Sequence, residues 1–306
     1  MKQFVADVAK LGDPARGEIV FRRKDQVCSK CHAIGGAGGQ VGPDLSSIGG
    51  SAQVDYLVES LLLPNKVVKE GFHSVTVTTA KGKVFTGIKV RQTDRELVLR
   101  TGEDREISIP QNQIEEQRPG GSLMPDGLCD PLTRAELVDL VRFLSDLGKN
   151  GPYQVGTARV VRRWQVLEAT EEARRQWQRD HSTIATDAAW QSWTPAYSTV
   201  AGLLPLDALP RLELKASDNE AWGIARFQVE STTAGKVRFH VKTVEGSKMW
   251  LDVTSVEMKP EIELDLPKGM HTLTFLVPLR KGGEGIRCEL ADVPGSPARA
   301  RLIGGK

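Results

Sequence analysis

Two cysteines and a histidine stand within five residues near the N-terminus, in the order Cys28-Ser29-Lys30-Cys31-His32. This is the C-x-x-C-H pattern of haem c attachment. The two thiols, one helical turn apart, add to the two vinyl groups of the haem, and the adjacent histidine lies under the iron as its proximal ligand. The pattern therefore predicts one covalent haem c, held by Cys28 and Cys31 and ligated by His32.

Two other kinds of site use closely spaced cysteines, and the surrounding residues disfavour both. A structural zinc site needs two further ligands at similarly short spacing, and the sequence contains no second C-x-x-C and no H-x-x-x-H. A thioredoxin-like redox pair follows a strand and begins a helix. Here a glycine-rich loop, GGAGGQVGPDL, follows soon after His32. The haem interpretation is favoured.

The bulk composition limits the possible partners. The 306 residues suffice for two or three domains, and 40% hydrophobic with 26% charged residues is ordinary for a globular protein. A formal net charge of +2 gives little bulk attraction to nucleic acid or to an acidic membrane. No apolar run approaches the roughly 20 residues that cross a bilayer. We therefore predict no nucleic-acid partner and no membrane span.

Hydrophobic periodicity divides the chain into two predicted domains, residues 1–150 and 151–306. The first has helical spacing after Ser51 and after a capping box at Thr133, with an alternating β insert at about residues 70–117 between them. The second alternates in short strands, as in an antiparallel β-sandwich. The expected fold class is multi-domain α+β, with a mostly α-helical first domain and an all-β, jelly-roll-like second domain.

Two further motifs accompany the haem motif. Gly42-Pro43-Asp44-Leu45 follows it, and Ser122-Leu123-Met124-Pro125 precedes the last predicted helix of the first domain. Together they resemble the class I c-type cytochromes. The resemblance implies that the Pro43 carbonyl orients His32 and that Met124 is the second metal ligand. A carbonyl acceptor behind the ring fixes the imidazole tautomer, and a thioether ligand raises the reduction potential.

The segments CSKCH, GPDL, ESLLLPNKVVKEGF, GKVFTGIKV and SLMPDGL resemble a narrower family, the planctomycete-type haem-binding domain. This resemblance covers about residues 12–148. It implies export, because members often form the C-terminal end of large exported proteins with propeller-type dehydrogenase domains. The first residues, MKQFVADVAK, lack the features of a signal peptide. We therefore expect a periplasmic or otherwise exported piece of a processed protein.

Some residues have two interpretations. His73, at the start of the insert, is the alternative to Met124 as distal ligand. Cys129 and Cys288 are either free buried thiols or a disulfide between domains. Basic residues near the motif either attract an acidic redox partner or are solvated surface charges. They are Arg22, Arg23, Lys24, Lys66 and Lys69.

The second domain resembles jelly-roll domains that bind sugars or calcium, including the lectin-type domain of protective antigen. Tryptophan side chains stack on sugar rings, although alternation favours the sandwich core for Trp222 and Trp250. The tryptophans considered are Trp190, Trp193, Trp222 and Trp250. Asp218 and Asp252 are candidate Ca²⁺ ligands. The remaining histidines are expected to face solvent; they are His181, His240 and His271.

Three functions are consistent with these features. An electron-transfer protein, with iron closed by His32 and Met124, would exchange one electron with a redox partner protein or a dehydrogenase domain and would have no catalytic residues. A haem enzyme or gas sensor would need an open distal position, and no distal His/Arg pair is recognisable. A polysaccharide-binding module with an associated haem is compatible with the first. The sequence favours electron transfer.

Overall fold

The chain folds into two compact units, Met1–Val155 and Gly156–Lys306, in a computed structural model. The structure describes residues 1–23, 25–179, 185–186, 188–213, 221–280 and 282–303. No helix in these ranges is long and apolar enough to cross a membrane.

The first unit contains six α-helices among its described residues. They are α1 (Lys2–Leu11), α2 (Pro14–Arg22), α3 (Cys28–Cys31), α4 (Ile48–Ser51), α5 (Val54–Leu62) and α6 (Arg134–Asp146). The side chain of Asp13 caps α2 by accepting hydrogen bonds from the next two free amides, with proline at the first helical position. Thr133 and Glu136 form the predicted capping box of α6.

Helices α2 and α6 cross at Gly17, where no side chain fits. A Cβ atom there would lie 2.0 Å from the backbone oxygen of Asp139 and 2.7 Å from the Cβ of Phe143. The rings of Phe21 and Phe143 pack beside this crossing, with their centroids 5.8 Å apart. The buried carboxylate of Asp139 accepts from the Asp13 amide at 2.7 Å and from the Arg16 Nε at 2.7 Å. The crossing therefore combines close backbone packing with a charged clamp.

A five-stranded antiparallel sheet lies in the chain between α5 and α6. Its strands are β1 (Ser74–Thr79), β2 (Val84–Gln92), β3 (Glu96–Arg100), β4 (Glu106–Pro110) and β5 (Ile114–Pro119). Their order in space is β4-β3-β2-β1-β5, so the last strand returns to pair with the first. The sheet has an apolar core of its own that includes Val77, Leu97 and Leu99.

This sheet contacts the loops on either side of it in the first unit. Arg100 donates from Nη1 to the Gln40 carbonyl at 3.2 Å, and the Gln40 amide donates to Asp104 at 3.3 Å. At the other end, the Ser74 amide donates to the Gly121 carbonyl at 2.8 Å. The sheet thus fixes the segment after the C-x-x-C-H motif and the segment before Met124.

The described part of the second unit is mostly strand. Its elements are β6 (Arg159–Val160), β7 (Arg163–Leu167), α7 (Glu171–Arg179), β8 (Trp193–Tyr197), β9 (Leu204–Pro205), β10 (Leu212–Glu213), β11 (Ala221–Thr233), β12 (Gly235–Lys242), β13 (Lys248–Leu251), β14 (Thr254–Val256), β15 (Glu261–Leu266), β16 (Gly269–Pro278), β17 (Gly285–Asp292) and β18 (Arg299–Ile303). One sheet has the order β14-β13-β16-β11-β7-β8, with β10 and β18 also paired to β11. The other has the order β15-β12-β17-β6, with β9 paired to β17.

Aromatic rings from both sheets fill the core of the second unit. Trp164 packs edge-on against Phe227 at 5.1 Å, and Phe227 lies 6.2 Å from Phe239 of the smaller sheet. The indole N–H of Trp164 is buried and donates to the Ser198 hydroxyl at 2.9 Å. This core therefore satisfies its own polar group.

The predicted fold class, with a mostly α-helical class I cytochrome c fold in the first domain, is wrong. Antiparallel sheets dominate the described residues, with three sheets against seven α-helices. In the first unit α3 and α4 have only four residues each. One physical reason is the glycine-rich loop, where Gly35, Gly36 and Gly38 adopt positive φ and interrupt any helix. The other is the number of alternating segments that pair as strands.

Candidate functional site

A deep, mainly apolar cavity opens in the first unit. Its empty volume is about 1360 Å³, a figure that includes open solvent at its mouth. Apolar side chains from the helices and loops line it, including Val41, Leu57, Leu61, Val68, Leu128 and Leu140. All five residues that the sequence singles out also line it: Cys28, Cys31, His32, Pro43 and Met124. The fold therefore brings the predicted site residues to one cavity.

The two motif cysteines occupy the single turn of α3. Both thiols are free and partly buried. Burial raises the pKa of Cys28 to about 12, and burial also raises the pKa of Cys31. Reactive redox cysteines and zinc thiolates have lowered pKa values. These thiols are protonated at neutral pH, which is the opposite of what a thioredoxin-like pair requires.

The glycine-rich loop lies directly against the backbone of the motif. A Cβ atom on Gly39 would come within 1.7 Å of the Lys30 carbonyl oxygen, and one on Gly38 within 2.1 Å of the His32 carbonyl oxygen. The Gly39 amide donates to the Ser29 carbonyl at 2.9 Å. Gly38 and Gly39 are therefore required by packing, because no side chain fits between these two positions and the motif backbone.

The imidazole of His32 is held in one orientation. Its Nδ1 donates to the Pro43 carbonyl at 2.9 Å. The backbone of Gly42 packs on the ring, where a Cβ would lie 2.4 Å from Cε1. Burial lowers the pKa of His32, so the ring is neutral. With Nδ1 carrying the proton, Nε2 keeps a free lone pair, and no partner for it is found among the described residues.

Met124 and His73 differ in their access to the cavity. Met124 is partly buried and lines the cavity, and its amide donates to the Ser122 hydroxyl at 3.1 Å. His73 is exposed and is not part of the cavity lining. Access to the cavity therefore favours the thioether of Met124 over the imidazole of His73 as a second donor.

Carboxylates pair with most of the basic residues predicted to attract an acidic partner. Arg22 pairs with Glu18 at 2.9 Å and Lys66 with Glu59 at 2.8 Å. Arg23 binds both Asp25 and Glu136. Lys69 lines the cavity, and Lys24 lies outside the described residues. These ion pairs leave little net positive charge among the basic residues near the motif.

The four tryptophans considered as sugar-binding residues lie on the outer face of the larger sheet of the second unit. Trp190, Trp193, Trp222 and Trp250 are partly buried there, against a cluster that includes Ala173 and Trp177 of α7. The expectation that Trp222 and Trp250 belong to the sandwich core is wrong, because β11 and β13 turn these side chains away from it. Arg226 stacks its guanidinium 3.9 Å from the Trp193 ring centroid.

The surroundings of His271 and Asp252 in the second unit differ from those predicted. His271 is buried, not solvent-facing: Nδ1 lies 2.9 Å from Asp252 Oδ2, and Nε2 lies 2.9 Å from the Pro267 carbonyl. Asp252 also accepts from the Thr272 amide at 2.8 Å. The carboxylate predicted to bind Ca²⁺ is thus engaged within the protein. Asp218 and His181 lie outside the described residues.

The other two cysteines, Cys129 and Cys288, are buried and free, and burial raises the pKa of each thiol. The structure therefore contains no disulfide between them. Cys129 lies close enough to Cys28 that the like charges of their thiolates add to the raised pKa of Cys28.

The comparisons with known proteins change the family assignment. No protein-family model matches the chain, and no curated protein matches it significantly. The described residues contain no group of three or more histidine, cysteine or acidic side chains able to hold a metal ion. With sheets dominating the fold, the predicted resemblance to class I c-type cytochromes, to the planctomycete-type haem-binding domain and to lectin-like jelly rolls is wrong as a family assignment.

Sequence reasoning missed the residues that support the donors. Gly42, beside the His32 ring, and Asn65, whose Oδ1 accepts from the Ser122 amide at 2.9 Å, were not predicted. The only signal for Gly42 was its place directly before Pro43. Asn65 follows a helix-ending proline and is separated from Ser122 by the whole five-stranded sheet, so no local pattern connects them.

Proposed function

We propose that the first unit attaches one haem covalently through Cys28 and Cys31 and that the protein transfers single electrons. The observation that carries this proposal is the donor set of one cavity: two protonated thiols, a neutral imidazole and a thioether. It rests on these side chains and not on membership of any family.

The thiols suit attachment to the vinyl groups of a porphyrin. Each S–H bond adds across one vinyl double bond, so the thioether forms without an oxidant or a leaving group. The α3 turn separates the two sulfurs by three residues, and the apolar lining beside it suits the faces of a macrocycle. Because both thiols have raised pKa values, they resist binding a stray divalent metal as thiolates.

His32 and Met124 are the residues that would hold the iron. His32 offers Nε2, because Pro43 takes the proton of Nδ1 as a hydrogen-bond acceptor. Met124 offers a neutral sulfur, which favours the ferrous state. When bound, the haem supplies reversible exchange of one electron between Fe(III) and Fe(II). The apolar side chains exclude water from the cavity, which sets the dielectric around the charge change.

The partner in this proposal is a redox protein or a dehydrogenase domain, and attachment takes place after export. The balanced charges near the cavity argue for recognition through shape and apolar contact more than through a basic surface.

The first test is attachment itself. The full chain is expressed with a haem c maturation apparatus, and its denatured mass and pyridine haemochrome spectrum are measured. We expect the mass of one haem on the wild type, none on Cys28→Ala/Cys31→Ala, and wild-type loading of the control Cys129→Ala. A wild-type mass equal to the bare polypeptide contradicts the proposal.

The second test concerns the distal ligand. We expect the oxidised wild type to show the near-infrared methionine-to-iron charge-transfer band and the reduced form to bind CO poorly. Met124→Ala should lose the band and bind CO, whereas the exposed-site variants Met270→Ala and His73→Ala should behave like the wild type. Avid CO binding by the wild type would instead indicate a haem enzyme or gas sensor with an open distal position.

A second candidate function is polysaccharide binding by the second unit. The observation in its favour is the group of partly exposed tryptophans on one sheet face, with Trp193 oriented by Arg226. Affinity electrophoresis with soluble polysaccharides tests it: Trp193→Ala should abolish a retardation that the wild type shows. Unretarded wild-type protein across a broad polysaccharide panel would contradict this candidate.

A further inference from the structure

The side chain of Asn65 joins two segments of the first unit that lie far apart in sequence. It stands just past α5, directly after the buried Pro64. Its Oδ1 accepts a hydrogen bond from the Ser122 amide at 2.9 Å. Its Nδ2 donates to the two carboxylate oxygens of Asp126 at 3.4 and 3.5 Å. The two bonds bracket Met124, one on each side of it in the chain.

The segment held by Asn65 is also fixed from the sheet. The Gly120 amide donates to the Ser74 carbonyl at 2.7 Å, and the Ser74 amide donates to the Gly121 carbonyl at 2.8 Å. Gly121 leaves no room for a side chain, because its Cβ would come within 2.3 Å of Asn65 Oδ1. The backbone therefore approaches the Asn65 amide group closely and in one register.

Ser122 transmits this constraint to Met124. Its amide is bound by Asn65, and its hydroxyl accepts from the Met124 amide at 3.1 Å. Asn65 thus acts two hydrogen bonds away from the backbone that carries the thioether. It does not line the cavity itself.

We propose that Asn65 is a positioning residue that keeps Met124 on the iron by clamping residues 122–126. The inference rests on the proposed function and adds to it the residue that controls distal ligation. Without the clamp, the segment moves, the sulfur leaves the iron more often, and an external ligand competes more effectively for the vacated position.

The test uses the full, haem-loaded chain in four forms besides the wild type. Asn65→Leu removes both bonds. Asn65→Asp keeps an acceptor for the Ser122 amide but sets a carboxylate against Asp126. Asn65→Asp/Asp126→Asn exchanges the two groups and restores the pairing. Asn150→Leu, at an exposed asparagine outside the cavity lining, is the matched control.

Three quantities are measured on each form: haem content, the near-infrared band of the oxidised protein, and the affinity of the ferric protein for imidazole. Asn65→Leu should load haem normally, weaken the band and raise imidazole affinity about fivefold, the factor expected for loss of the bond to the Ser122 amide, which is the shorter of the two. Asn65→Asp should give a band intensity and an imidazole affinity between those of Asn65→Leu and the wild type. The double exchange and Asn150→Leu should match the wild type.

Hydrogen exchange provides a readout that does not depend on haem. In the haem-free full chain, the Ser122 amide should exchange about fivefold faster in Asn65→Leu than in the wild type. A band and an imidazole affinity unchanged in Asn65→Leu, with haem loaded, overturn this inference and leave the proposed function standing. A wild type that loads no haem overturns both.

Discussion

The indole N–H of Trp164 in the second unit is buried and has a partner, whereas the imidazole Nε2 of the partly buried His32 in the first unit has none among the described residues. Trp164 donates to Ser198, whose hydroxyl in turn donates to the Val161 carbonyl at 2.9 Å. For His32 Nε2 the described residues offer none. Buried polar groups in folded proteins are normally satisfied. His32 is only partly buried and lines the cavity, so its Nε2 is available to a ligand.

The packing of the two units differs in the same way. Phe227, Phe239 and Phe275 fill the space between the sheets of the second unit. The first unit closes its helices through the backbone contact at Gly17 and leaves about 1360 Å³ open beside α3. The core between the sheets of the second unit is filled, whereas the first unit keeps an open cavity lined by Cys28, Cys31, His32 and Met124.

The largest expected effect comes from opening a cavity in the filled core. Phe275→Ala should lower the free energy of unfolding of the second unit by about 4 kcal/mol, because a buried ring is lost and the sheets relax only partly. Hydrogen exchange by mass spectrometry checks this: amides of β11 and β16 should exchange faster while those of α6 do not. Equally faster amide exchange in α6 would contradict the contrast drawn between the two units.

Adding a side chain at the crossing of α2 and α6 should lower the free energy of unfolding somewhat less than Phe275→Ala does. Gly17→Ala places a methyl group 2.0 Å from the Asp139 carbonyl oxygen, so α2 and α6 must separate, at a cost of about 3 kcal/mol to the first unit. Gly102→Ala, where nothing lies within 4 Å, is the matched control. Chemical denaturation followed by exchange of α6 amides measures both, and equal stabilities would refute the contact.

The carboxylate at the same crossing should give a smaller, pH-dependent effect. The hydrogen bond from Arg16 lowers the pKa of Asp139, so its stabilisation is complete above its ordinary pKa of about 4 and fades as the pH falls through the folded value. Asp139→Asn should cost about 2 kcal/mol at pH 7. The difference from the wild type should shrink below about pH 4, and a constant difference would contradict the assignment.

Substituting His271 should have the smallest effect on the free energy of unfolding. Its pH dependence should run opposite to that of Asp139. Both ring nitrogens face oxygen acceptors, so the two hydrogen bonds require the protonated ring, and the bonds to Asp252 and Pro267 raise its pKa against the effect of burial. The stabilisation is complete below pH ~6.5 and is lost as the pH rises through the folded pKa.

His271→Gln should therefore cost about 1 kcal/mol near pH 6 and less near pH 9. The control is His240→Gln, a histidine whose side chain is 43% exposed. Urea denaturation at several pH values, with exchange of β16 amides as the local readout, measures both variants. A penalty that grows with pH would show that the neutral ring is the bonded form.

Local signals in the sequence predicted local structure well. The Thr133–Glu136 capping box marks the observed start of α6. β5 was missed because its residues after Ile114 are polar and do not alternate. Its pairing with the neighbouring β1 joins segments about 40 residues apart in the chain, which no short window of sequence encodes. The same limit explains why the balance of sheet over helix was misjudged.

The three motif residues could be placed together from the sequence for a local reason, whereas the residues that support Met124 could not. Cys28, Cys31 and His32 are adjacent in sequence, so spacing alone brings them together. The bond between Asn65 and Ser122, in contrast, exists only because the intervening sheet returns the chain to the end of α5. Trp222 was misassigned because alternation tells which residues share a face of a strand but not which face meets the core.

At one end of the five-stranded sheet, Arg100 and Asp104 form hydrogen bonds with the backbone of Gln40. At the other end, Ser74 forms a hydrogen bond with the backbone of Gly121. A rigid body attached to both neighbouring segments acts as a spacer between them. Substitutions deep inside it, at Leu97 or Leu99, would alter the span between imidazole and sulfur without touching either. Substitutions during evolution could thus change the chemistry of the cavity from positions that do not line it.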